Sequence, residues 1–168
     1  KHWLVDPLNQ SYALANLQTW YRQTIAHDTL TVNESKQAWT NGHYRFFGKT
    51  TGFKVASGGD DRVYGGVKMR RTLLMVGDYF IDVFDATSKE PRTYDLPYHS
   101  FGEMTLTGDS LKLEKQPLDL FGHKPGVQGY DNFTKVYKGT TGDAWKARFD
   151  VKAEKKGLVV YGLGVKDT

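Results

Sequence analysis

The sequence predicts an all-β fold, an antiparallel β-sandwich, and three observations carry that prediction. Short segments of alternating apolar and polar residues recur along the chain. Gly-containing breaks separate them, and aromatic residues make up 14% of the 168 residues. Period-two alternation places every second side chain on one face of a strand, and many such segments broken by turns build packed antiparallel sheets. Ten Tyr, nine Phe and four Trp suit strands, where rings pack on a pleated surface. The same rings could also stack on the apolar faces of sugars.

The clearest element is VKMRRTLLMVGDYFIDVFD, residues 67–85. Val67, Met69, Arg71, Leu73 and Met75 alternate with Lys68, Arg70, Thr72, Leu74 and Val76. Gly77-Asp78 follows as a two-residue turn, and then Tyr79, Ile81 and Val83 alternate with Phe80, Asp82 and Phe84. That pattern is a β-hairpin. Arg70 and Arg71 fall on opposite faces, so one is expected to pack and pair with an acid while the other is solvated.

Further strands are expected at 29–32, 43–47, 53–56, 92–99, 103–106, 110–113, 133–138, 144–153 and 157–165. In 144–153, Trp145, Ala147, Phe149 and Val151 form an apolar face. Ser57-Gly58-Gly59-Asp60 and Gly139-Thr140-Thr141-Gly142 are read as breaks. Residues 11–24 are the one stretch with helical spacing, through Leu14, Leu17 and Tyr21, and fit an ordered loop equally well. Residues 116–132, with Pro117, Gly122, Pro125, Gly126 and Gly129, read as a long surface loop. KHWLVDP at the start is already strand-like and an apolar strand runs close to Thr168, so the chain is expected to be incomplete at both ends. A single domain is expected over residues 1–168.

Composition narrows the function classes. The net charge of +4 is small and dispersed, which argues against nucleic acid as a partner. No apolar run reaches the roughly 18 residues of a membrane span. The absence of cysteine removes disulfides and thiolate metal sites. No HExxH, HxH, P-loop or GxSxG pattern occurs, so no complete catalytic constellation is legible.

Single residues leave alternatives open. His27 could ligate a metal with a carboxylate such as Asp6, or be a hydrogen-bonded histidine at a strand start. His99, at the end of TYDLPYH, could face a cleft or the open surface. Tyr12 and Tyr21 could move a proton if a cation stood close by, or simply pack.

The order of segments resembles a known family. WYRQTIAHDTLTVNESKQ, residues 20–37, is similar to the segment of heparinase II/III-like polysaccharide lyases that reads Trp-Tyr-x-x-Thr-x-x-His-Asn-Thr, a short strand, then Asp-Gly-x-x-Gln. Residues 67–103 resemble the same family's arginine-led strand, hairpin and His-terminated strand. Two departures stand out: Asp28 replaces the usual Asn, and Glu34 is read as replacing the Asp of the Asp-Gly turn.

The resemblance implies the C-terminal sandwich part of a bacterial lyase, periplasmic or secreted, whose N-terminal α-helical toroid lies outside this chain. Such enzymes cleave uronic-acid-containing polysaccharides by β-elimination. It implies a zinc site with Asp6 and His27 as ligands, a third ligand coming from a His-Gly-His segment upstream. Tyr12 and His99 are the implied catalytic residues, and Tyr21 and Arg22 the substrate-binding ones. The implied partners are an acidic polysaccharide and the helical domain, and the chain alone is expected to be inactive. The alternative expectation is a non-catalytic carbohydrate-binding or structural sandwich module.

Overall fold

The structure, a computed structural model, describes residues 4–7, 11–108, 111–116, 129–141, 144–152 and 155–162. Its strands are antiparallel, and its sheets do not close into a barrel, in keeping with the expected all-β sandwich class. Two compact units divide the chain, one of Leu30–Leu96 and one of Lys1–Thr29 with Pro97–Thr168.

The Leu30–Leu96 unit holds β1 (Thr31–Val32), β2 (His43–Lys49), β3 (Phe53–Tyr64), β4 (Val67–Val76), β5 (Tyr79–Ser88) and β6 (Tyr94–Asp95). Strands β2 to β5 form one sheet in sequence order, and β1 pairs with β6. The expected hairpin is β4–β5, with Val76 opposite Tyr79 across Gly77-Asp78. Gly77 has φ 56° and Asp78 does not share the positive sign, the pattern of a type II′ turn.

β3 runs for 12 residues, straight through the Ser57-Gly58-Gly59-Asp60 stretch that the sequence reads as a break. The reason is close approach. A Cβ on Gly59 would lie 2.1 Å from the Met69 carbonyl oxygen, so glycine here lets β3 and β4 meet. Beyond it the β3–β4 register shifts between Asp60 and Tyr64. The Asp60 carboxylate, 4% exposed, stabilises that irregularity. It accepts from the Arg62 backbone N–H at 2.8 Å, from Arg62 Nε at 2.9 Å and from Arg62 Nη2 at 2.8 Å. Arg62 Nη2 also donates to the Asn41 carbonyl at 2.9 Å, tying in the approach to β2.

Leu30, Val32, Tyr64, Val67 and Met69 form the buried core of this unit, with Phe84, Ala86 and Leu96 packed against it. The Tyr64 hydroxyl reaches out of the core to donate to the Ser35 carbonyl at 2.9 Å. β1 and β6 are shorter than the expected 29–32 and 92–99. Thr29 N–H turns back to the His27 carbonyl, and the Asn33 side chain takes the Thr93 N–H that a longer ladder would use. Asn33 and Glu34, at φ 49° and 56°, are the two central residues of a tight turn closed by Ser35 N–H on the Val32 carbonyl. That corrects the sequence alignment: Asn33 holds the Asp position of the Asp-Gly turn, and Glu34 holds the Gly position. Of the two arginines of β4, Arg71 packs and pairs while Arg70 is exposed, as expected, though Arg70 also has an acidic partner. Arg71 grips Asp82 through Nε (2.9 Å) and Nη2 (2.6 Å) beneath Phe84, and Arg70 pairs with Asp85.

The other unit carries β7 (Glu103–Gly108), β8 (Glu114–Gln116), β9 (Val136–Lys138), β10 (Trp145–Val151) and β11 (Lys156–Gly162). β10 is central between β7 and β11, and β8 pairs with β9. Ala147 and Phe149 are buried while Lys146 and Arg148 are exposed, as the alternation predicts. Residues 111–113 form no strand, and the pairing begins at Glu114 instead. Phe133 ends a 3₁₀ turn at Tyr130–Asn132, which delays β9 to Val136. Within 11–24 the helical spacing yields a single π-type turn, Leu17–Tyr21. Most of the expected 116–132 loop, and the end of the 157–165 strand, lie outside the described residues. Among the described residues no helix is long and apolar enough to cross a membrane.

The Asp60 pair makes a prediction about acid stability. Hydrogen bonds from Arg62 hold the Asp60 carboxyl well below the usual carboxylate range, against an opposing contribution from burial. A depressed folded-state value contributes stability above the unfolded carboxyl's pKa and loses it as pH falls. Thermal melts from about pH 6 to about pH 2 should therefore show an acid-side decline that Asp60→Asn makes shallower. An unchanged slope in the variant counts against the pair as a source of acid sensitivity.

Candidate functional site

The site is built on the folded segment 17–28. Leu17 is buried at the start of the π-type turn, and Arg22 N–H closes it on the Leu17 carbonyl at 3.0 Å. A 3₁₀ turn, Thr24–Ala26, follows with all three residues buried. His27 caps it in extended conformation, φ −118° and ψ 152°, which turns its side chain away from the buried run.

Asp6 and His27, 21 positions apart, meet: His27 Nδ1 lies 2.7 Å from Asp6 Oδ2. On the other side of the ring, Nε2–H donates to the Tyr21 carbonyl at 3.1 Å. Both ring nitrogens therefore face oxygen acceptors. Two chemical states satisfy that arrangement. One is an imidazolium donating from both nitrogens to a carboxylate and a carbonyl. The other is a neutral ring fixed by its Nε2–H bond, with the Nδ1 lone pair and the carboxylate converging on a cation. Zinc passes this test of donor chemistry. It takes an imidazole nitrogen and a carboxylate oxygen, and a backbone-braced ring is the usual form of such a ligand. Two donors on one tetrahedral zinc sit roughly 3.3 Å apart, so a bound ion would open the contact by about half an ångström. Among the described residues no group of three His, Cys, Asp or Glu side chains gathers to complete such a site.

His99 anchors the same segment from the end of its strand-like run. Its backbone N–H donates to Asp28 Oδ1 at 2.6 Å, and Nε2–H donates to the Ile25 carbonyl at 2.8 Å. Its own carbonyl accepts from Val5 N–H at 2.9 Å, which brings the segment with Asp6 alongside. The imidazole meets Trp20 edge to face, with centroids 5.9 Å apart, and Trp20 meets Phe133 likewise at 6.0 Å. The turn at 129–133 closes the support. Asn132 Nδ2 donates to the Thr19 carbonyl at 3.3 Å. Gly129, at φ 98°, lies so near Ile25 that a Cβ would come within 2.5 Å of its Cγ2.

Tyr12 is 84% exposed, with the Arg22 guanidinium 5.2 Å from its ring centroid. The guanidinium lies over the ring face, a cation–π contact that leaves the exposed ring edge open to a ligand.

The structure thus joins Asp6 to His27, and Tyr12 to Arg22. It brings Tyr21 in through its backbone carbonyl, and sets His99 behind the segment that carries His27. Asp28, which stands where the family usually has Asn, accepts a backbone hydrogen bond from His99. Three supporting residues escape a sequence reading: Trp20, Gly129 and Asn132. A partner 113 positions away leaves no local pattern, and Trp20 carried no signal beyond its place in the motif.

The Asp28 bond is testable. Asp28→Ala should cost about 1–2 kcal/mol in chemical denaturation, since it leaves a part-buried N–H without its acceptor. Asp28→Asn keeps an acceptor oxygen and should stay near wild type; equal losses in the two variants would exclude the bond as the cause.

Comparison with known proteins fits this arrangement. Residues 3–155 match the model of the family described as Heparinase II/III-like, C-terminal. An exo-oligoalginate lyase of Saccharophagus degradans is 27% identical over 129 residues, covering 68% of this chain and 18% of that protein. An alginate lyase of Stenotrophomonas maltophilia is 32% identical over 131 residues, covering 68% of this chain and 17% of that protein. The chain spans less than a fifth of the length of these curated relatives. The match over most of its length, in the region that carries Asp6, His27 and His99, establishes that the chain belongs to the heparinase II/III-like C-terminal family of polysaccharide lyases.

Proposed function

We propose that this chain is the β-sandwich part of a polysaccharide lyase that cleaves a uronic-acid-containing glycan, alginate foremost, by β-elimination. The observation that carries the reading is the convergence of Asp6 and His27 at 2.7 Å beside the exposed Tyr12–Arg22 pair, in a chain whose relatives are named as alginate lyases.

β-Elimination sets three chemical demands. A base takes the proton from the carbon next to the uronate carboxylate. The freed electron pair forms a C=C bond while the glycosidic C–O bond breaks. An acid then protonates the departing oxygen. Removing that proton builds negative charge toward the carboxylate, so a fixed cation lowers the barrier. Tyr12 is the proposed proton-transfer group, and Arg22 and Tyr21 bind the sugar, with the guanidinium facing its carboxylate. His99 takes part through Nδ1, because Nε2–H is committed to Ile25, and it positions the segment that bears His27. Asp6 and His27 would hold zinc together with a ligand from upstream; when bound, the ion supplies positive charge and rigidity at this corner of the site. The helical domain that the family resemblance implies would supply the rest of the cleft, and the periplasm or the cell exterior is the proposed location.

The activity is read from the ultraviolet absorbance of the unsaturated uronate product, with alginate, heparan and ulvan compared. The full-length protein should turn over one of these, the 168-residue chain none, and Tyr12→Phe should lower kcat by about 100-fold or more. Turnover by the short chain, or wild-type kcat in Tyr12→Phe, would overturn these assignments. Zinc content is measured separately, on the full-length protein by elemental analysis. Near-stoichiometric zinc, lost in His27→Ala and Asp6→Ala, is the expected result; full zinc in both variants would remove the two residues from the ligand set.

A further inference from the structure

The face of the β2–β5 sheet opposite its core cluster has a composition that neither the elimination chemistry nor the metal pair uses. Val67 and Met69 point into the core, so Lys68, Arg70, Thr72, Leu74 and Val76 lie on the other face. Their partners across the ladder share that face: Thr87, Asp85, Val83, Ile81 and Tyr79 on β5, and Ser57, Val55 and Phe53 on β3. Phe46 on β2, opposite Ser57, joins them.

Two chemistries divide this surface. Toward the β3–β4 turn is a groove of about 370 Å³ lined by Arg45, Asp61, Lys68, Arg70, Asp85 and Thr87. Asp85 neutralises Arg70. Arg45 and Lys68 are exposed and make no ion pair among the described residues. Toward the hairpin turn the face is apolar and open: Tyr79 is 73% exposed, Val83 50%, Phe46 48%, Ile81 48% and Phe53 41%. Exposed apolar side chains gathered on one sheet face mark a contact surface. Its charge selects the partner. Cations at one end of the face and rings toward the other suit an extended chain with apolar sugar faces and spaced carboxylates. Asp61 and Asp85 in the groove disfavour the denser charge of a nucleic acid backbone.

We propose that this face is a secondary binding surface for a carboxylate-bearing glycan, with Arg45 and Lys68 taking carboxylates and Tyr79, Phe46 and Phe53 stacking on sugar rings. The inference rests on the proposed acidic-glycan substrate and deepens it: this surface would hold the polymer through residues separate from those assigned to its cleavage.

The test is affinity electrophoresis and titration calorimetry on the 168-residue chain and on the full-length protein. Saturated oligomannuronate and oligoguluronate are the probes, with a neutral cello-oligosaccharide and single-stranded DNA as controls. Arg45→Gln with Lys68→Gln should weaken uronate binding at least about tenfold at low salt, at unchanged melting temperature. Tyr79→Ala should weaken it further, and Asp61→Asn, which removes an opposing charge, should strengthen it. Lys146→Gln, at an exposed lysine of β10, should leave it unchanged. Wild-type affinity in the Arg45/Lys68 variant, or equal binding of DNA or of the neutral sugar, overturns the surface. Loss of binding in His27→Ala but not in Arg45/Lys68 would place the glycan at the Asp6–His27 site, sinking this inference while leaving the lyase reading intact. Absence of lyase activity in the full-length protein, with the variant pattern as expected, would do the reverse.

Discussion

The arrangement around His27 depends on the way His99 is bound. One residue fixes three pieces of chain: its N–H takes the Asp28 carboxylate, its ring takes the Ile25 carbonyl, and its own carbonyl takes Val5 N–H. Asp28 and Ile25 bracket His27, and Val5 adjoins Asp6. The contact between Asp6 and His27 is thus a consequence of a backbone framework. Two flexible side chains alone would lose rotamer entropy on meeting, and an exposed pair of that kind contributes little. The pair is a product of the fold more than a support for it, which suits a site kept for chemistry.

His27 then has an unusual electrostatic setting. Its ring nitrogens face two oxygens, the Asp6 carboxylate and the Tyr21 carbonyl, so the ring is held from both sides. The same short stretch sends Arg22 out to Tyr12, so Arg22 and His27 both follow Tyr21 within six residues. The proposed acidic sugar would find its charge complement in Arg22, within a segment that the family match includes.

How much of this could be read from the residues varies by element. The β4–β5 hairpin and the buried face of β10 follow from alternation and turn chemistry, and both appear where expected. Asp6 with His27 was accessible through the family resemblance, since spacing alone left His27 equally open to a structural role. Gly58 and Gly59 misled, because glycine ends strands in most contexts but here relieves a contact with the β4 backbone. The Asp60–Arg62 irregularity was hidden for a related reason: two residues apart within one strand, the pair has no recognisable motif. The support from Asn132 and Gly129 depends on chain closure over a hundred positions. The shortening of β1 and β6 shows side chains such as Asn33 capturing backbone groups that propensity alone would assign to a ladder.

The π-type turn at Leu17–Tyr21 has a consequence for how this site could diversify. Its closing bond spans five residues, one more than an α-turn needs. Removing a single residue there would convert it to an ordinary α-turn and rotate the end of the turn by about 100°. Tyr21 and Arg22 would then leave the loop in another direction, while Thr24–Ala26 remained tethered through Ile25. Changes in loop length, more readily than point substitutions, are therefore the route by which descendants of this sequence could redirect a cation toward a differently placed carboxylate while keeping the scaffold beneath it.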